Sequence, residues 1–192
     1  MRGIILLVCL VLSLGAPVLA EHHEGEGSMY TATLVGNFEF VSGQLVQLAE
    51  AIPQDVYSWR PAEGVRSTSE AIMHVAGANV GLPMMLGVAP PEGMEMSEDM
   101  RAKMQEREKN VTAKADVIAA LKDSIGYGKS AIGDFPAAHL GDEVEFFGMK
   151  MSKGDMLLIL LSHSHEHLGQ LIAYARSNGV TPPWSEPEGG GH

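Results

Sequence analysis

The chain has 192 residues, enough for one domain with a substantial core, and carries 13 Lys/Arg against 24 Asp/Glu for a formal net charge of −11. A surface of that sign repels phosphate backbones, so the composition argues against nucleic acid as a partner. The only cysteine is Cys9, which excludes an internal disulfide framework.

In chain order, "MRGIILLVCLVLSLGAPVLA" (residues 1–20) reads as a secretory signal peptide rather than as part of the fold. Arg2 is a short positive lead. Ile4 to Leu14 is an apolar run too short to span a bilayer comfortably, and Val18-Leu19-Ala20 is a small-x-small cleavage site. An uncleaved anchor is the alternative. Cleavage after Ala20 would remove Arg2, Cys9 and no acidic residue, so the net charge would move from −11 to −12 and no thiol would remain. The expected location is periplasmic or secreted. A disulfide-free core of this size suits a bacterial periplasm, and no later apolar run is long enough for stable membrane association.

Residues 21–29 are polar and glycine-rich and read as a flexible lead. From Tyr30 to Ala51, apolar residues at Leu34, Phe38, Val41, Leu45 and Leu48 keep the three-to-four spacing of a helix that stops at Pro53. Ser67-Thr68-Ser69-Glu70 is a capping box opening a second helix to about Leu86. "GVAPPEGMEM" is a Pro/Gly connection. Ser97, followed by acidic residues, caps a third helix to about Ile125. "FPAAHLGDEVEFFGMKM" is irregular, with a short extended piece over residues 143–149. Ser152 and Asp155 form a second capping box, and the helix they open ends at Arg176 to Gly179 with Pro182 and Pro183 beyond. Residues 185–192 read as a disordered tail. Residues 30–184 are thus expected to form one all-α domain, a four-helix bundle with an irregular or extended segment before the last helix.

That last helix contains "SHSHEHLGQ", with three histidines in five positions. His163 and His167 are four apart, one turn along the same face, and flank the apolar line of Met156, Leu160, Leu171 and Tyr174. His165 is turned to the solvent side. Two inward imidazoles need partners, because unpaired buried polar groups are costly. One metal ion would satisfy both if another helix supplied a third ligand. His22, His23 and His192 lie in the flexible ends and His139 in a loop, which leaves His74 in "SEAIMHVAGAN". His74 reads either as a core histidine bonded to a backbone carbonyl or as the third nitrogen of a site with open positions.

"HSHEHLGQLIAYARSNGVTPPW" resembles the closing helix of the DinB-like superfamily, small metal-binding four-helix bundles with an H-x3-H-x-G-Q pattern there. His163, His167, Gly169 and Gln170 match it. "WRPAEGVRSTSEAIMHVAGAN" resembles the family's second helix, where the first ligand falls on His74. The resemblance runs from about Tyr30 to Trp184. It implies a divalent metal held by His74, His163 and His167, and a homodimer; imidazole ligation with an open tetrahedral position makes zinc the default, with nickel, iron or manganese as alternatives. It implies no polymerase or DNA-binding role. Characterised relatives include metal-dependent thiol transferases and isomerases, although an exported chain would sit apart from their cytoplasmic thiol cosubstrates. Three readings follow. The chain is a metal-dependent transferase or hydrolase acting on a small molecule, with its catalytic residues unassigned. Alternatively it binds or sequesters metal outside the cytoplasm without catalysis. The third is a pseudo-enzyme bundle whose role is association.

Other residues carry weaker signals. Gln170 reads as an orienting partner for a ligand or as an interhelical hydrogen bond, Glu166 as a solvated carboxylate or a base, and Gly169 as a close-approach site or a tolerated glycine. Met94, Met96, Met100 and Met104 read as adaptable filler or a lip over a pocket, with soft Cu(I) ligation as the alternative. Cleavage after Ala20 would also create an Glu21-His22-His23 terminus able to hold Cu(II) or Ni(II).

Overall fold

A computed structural model describes residues 18–94, 97 and 99–185. Most of the leader, Met96 and the tail from residue 186 lie outside the described residues. Five helices form the frame: α1 (Val18–Ala51), α2 (Thr68–Met85), α3 (Met100–Asn110), α4 (Lys114–Gly133) and α5 (Lys153–Ser177). A hairpin of β1 (Glu143–Phe146) and β2 (Met149–Ser152) precedes α5. Among the described residues no helix is long and apolar enough to cross a membrane.

Four of the helices make the expected bundle. α1 and α2 each pack against both α4 and α5, so the cyclic order is α1–α4–α2–α5. Each contributes one apolar stripe to a shared core. Phe38, Val41, Leu45 and Leu48 come from α1, Ile72 and Val75 from α2, Val117 and Leu121 from α4, and Met156, Leu160 and Leu171 from α5, all fully buried or nearly so. Both capping boxes are formed. Ser67 accepts from the Glu70 amide while Glu70 accepts from the Ser67 amide, and Ser152 and Asp155 do the same for α5.

Three expectations change. α1 begins at Val18 rather than Tyr30, so residues 21–29 are helical. No proline or cap interrupts the run. Gly27 serves a close approach: a Cβ there would meet the Ala137 Cβ at 2.6 Å, in the short 3-10 turn that crosses α1.

The expected third helix is two helices, α3 and α4, broken at Val111–Ala113. Val111 is extended (φ −89, ψ 101), and a residue distant in sequence holds the break. The Lys114 amide donates to Gln54 Oε1 at 2.6 Å, and Lys114 Nζ donates to the Glu50 and Ile52 carbonyls at 2.7 Å each. The new start of α4 is therefore capped by Gln54 from the short 3-10 turn that follows α1. Among the described residues the α-helices number five, and α3 lies outside the four-helix core with no buried residue.

The extended piece is a two-stranded antiparallel hairpin reaching Ser152, with Phe146 opposite Met149. Phe147 and Gly148 take positive φ (50° and 79°), which suits a two-residue turn matched to strand twist.

Candidate metal centre

α2 and α5 lie side by side, and this contact brings the three expected histidines together. Ring centroids are 5.1 Å apart for His74–His163, 4.9 Å for His74–His167 and 4.4 Å for His163–His167. One ring nitrogen from each lies within 4.8 Å of the other two, an arrangement that can hold a metal ion. His74 Nε2 and His163 Nε2 are 3.2 Å apart. Two nitrogens on bonds of about 2.1 Å, subtending an angle between octahedral and tetrahedral, would sit roughly 3.0–3.4 Å apart, so the donor pair fits.

The rings are oriented from behind. His74 Nδ1 lies 3.0 Å from Glu108 Oε2 and His167 Nδ1 lies 2.7 Å from Gln170 Oε1. A carboxylate and an amide oxygen only accept, so the network assigns the proton to Nδ1 in both rings. That leaves the Nε2 lone pairs free to face an ion. Glu108 in turn accepts from Arg66 Nε at 2.6 Å. Gln170 Nε2 donates to the Tyr174 hydroxyl at 2.7 Å, which donates to the Arg66 carbonyl at 3.2 Å. Trp59 and Tyr174 pack edge-to-face, with centroids 5.2 Å apart. His163 Nδ1 is buried with no partner among the described residues.

The electrostatics favour the neutral form of His163 and His74. Burial, then His167, His74 and Arg66, push His163 down from 6.5 to about 4. Burial and Arg66 also hold His74 below its ordinary value, against the opposing pull of Glu108. A neutral imidazole is the form that ligates metal.

The remaining histidine of the triplet, His165, is exposed, with Nδ1 3.1 Å from the Leu161 carbonyl of its own helix. His139 is exposed and paired with Asp142 at 2.8 Å. Gln170 orients a candidate ligand, one of the two roles its position suggested. Glu166 is a solvent-facing carboxylate. A Cβ on Gly169 would meet nothing within 4 Å, so it is a tolerated helix glycine. Met94, Met100 and Met104 line a cleft beside α3 together with Met73, consistent with a lip. Sequence reasoning missed Glu108 and Arg66 and took Tyr174 only for its apolar face.

The model of the DinB superfamily matches residues 37–171. Among solved structures, a DinB-like protein from Bacillus cereus superposes with a TM-score of 0.64 at 16% identity, covering 78% of this chain and 93% of that one. A DinB-like protein of Bacillus subtilis, YjoA, gives 0.58 at 22% identity with the same coverage of each chain. No curated protein matches. The two solved structures share the fold, and the family match spans most of the bundle from α1 into α5: the chain belongs to the DinB superfamily.

Proposed function

We propose that His74, His163 and His167 hold one divalent metal ion and that the chain is an exported metal-dependent enzyme, a transferase or hydrolase acting on a small molecule. The observation that carries the metal reading is the convergence of three imidazoles, two of them with Nδ1 tied to an acceptor. Zinc comes first because imidazole suits it and three-nitrogen sites commonly keep an open position; nickel, iron and manganese follow. Such an ion keeps most of its charge among three neutral ligands, favours an anionic fourth ligand and lowers the pKa of a bound water or thiol. Export rests on the signal-peptide pattern of residues 1–20, and a homodimer on the family likeness.

One observation favours a non-catalytic holder of metal instead. Glu108, the carboxylate hydrogen-bonded to His74, is also paired with Arg66 and is badly placed to act as a base. Metal analysis of protein purified from its own compartment, followed by an activity screen with the metal found, separates the two. Turnover that depends on the tightly held ion supports the enzyme, and stoichiometric metal without turnover on any substrate class supports the holder. N-terminal sequencing of the same sample tests export, since removal of residues 1–20 would leave Glu21 first.

A further inference from the structure

The supports behind His74 and His167 start from different helices and finish on one residue. From His74 the path runs through Glu108 of α3 to the Arg66 side chain, with links of 3.0 and 2.6 Å. From His167 it runs through Gln170 and Tyr174 of α5 to the Arg66 carbonyl, with links of 2.7, 2.7 and 3.2 Å. Arg66 is itself fixed by its surroundings. It directly precedes Ser67, the N-cap of α2, and the Thr68 amide donates to the Trp59 carbonyl at 3.0 Å. Trp59 is also the ring packed on Tyr174.

We infer that Arg66 is a positioning residue that joins the two supports into one unit, so that the orientation of His74 and the orientation of His167 depend on each other. The inference rests on the metal reading above.

Charge alone does not call for an arginine there, since any cation could pair with Glu108. A guanidinium near a cation site opposes the ion, and the intervening Glu108 only offsets this. Geometry does call for one. The Nε–H of arginine donates in a fixed plane, while a lysine ammonium is a rotatable point charge that would hold Glu108 in no single orientation. Glu108 needs that restraint because α3 has no buried residue to fix it by packing. Tyr174 acts on the same point from the other side, since its hydroxyl holds the peptide from which the Arg66 side chain departs.

The test is a double-mutant cycle read as Zn2+ affinity of the full folded chain, by competition with a chromophoric chelator. The variants are Arg66→Lys, Tyr174→Phe and the double substitution. Urea unfolding of the metal-free forms shows that each is folded. If Tyr174→Phe does not fold, Gln170→Met breaks the same arm in its place. Each single change is expected to weaken Zn2+ binding about 10–100-fold, the range for residues that orient metal ligands. The double variant should lose clearly less than the product of the two single losses. Single losses that multiply would mean two independent supports and would overturn the inference while leaving the metal site standing. Unchanged affinity in Arg66→Lys would also overturn it, leaving Arg66 only its charge. A parent protein that binds no Zn2+ and purifies with no other metal would remove the metal reading and this inference together.

Discussion

Glu108 Oε2 lies 3.0 Å from His74 Nδ1, across a contact between a helix with no buried residue and one with eleven. This bond orients one imidazole of the candidate centre and gives α3 a polar attachment to the bundle. Glu108→Gln keeps the shape and removes the charge. It is expected to weaken metal binding by about 10–100-fold, because the amide holds the Nδ1 proton less strongly and the ring becomes a poorer donor. Zn2+ titration of the folded variant checks this, and unchanged affinity would reduce Glu108 to a surface partner of Arg66.

Stability of the metal-free protein should depend on pH. The folded pKa of His163, about 4, lies below its ordinary 6.5, and that of His74 is also lowered. Between these values the unfolded chain binds more protons than the folded one. Stability from neutral His163 is therefore fully present above about pH 6.5 and is lost as pH falls toward 4. His163 is only partly buried, so with solvent screening the loss is on the order of 1–2 kcal/mol. Urea unfolding at pH 7.5 and pH 5 measures it. His163→Phe, which cannot titrate, should reduce the dependence to the part that His74 contributes, and an equal slope in that variant would assign the effect elsewhere.

The break between α3 and α4 should depend on Gln54. Its side chain accepts from the Lys114 amide, one of the donors left unpaired at the start of α4. Gln54→Ala is expected to cost about 1 kcal/mol, as for loss of a helix cap. Chemical denaturation would show the loss, with metal affinity falling only if the displaced break also moves Glu108.

The sequence carried the placement of the three histidines well and their supports poorly, for physical reasons. The i, i+4 pair of His163 and His167 on an apolar stripe fixes which way the rings point, and the same phase puts His165 in solvent. Both capping boxes are local signals and both formed. The break at Val111–Ala113 has no local signal of that strength, because its cap comes from Gln54, sixty residues before Lys114 in sequence. Glu108 was hidden with it: α3 buries no residue, and its Met100–Met104 pair lines a cleft, so no apolar stripe marks the face that meets His74. The hairpin turn uses Phe147-Gly148 in place of the Asn-Gly or Asp-Gly pair that announces such turns. Gly27 looked like a flexible lead because its partner, Ala137, is more than a hundred residues away.

The central claim is tested most directly by metal content across four alanine variants of one protein preparation scheme. His74→Ala, His163→Ala and His167→Ala each remove a nitrogen of the cluster, whereas His165→Ala removes the same group from the same turn of α5 on the solvent side. The first three are expected to lose most of the bound metal. His165→Ala should keep the parent's one ion per chain and change stability by no more than about 0.5 kcal/mol, as for a surface substitution. Full metal retention in any of the first three, or an equal loss in His165→Ala, would contradict the site drawn here.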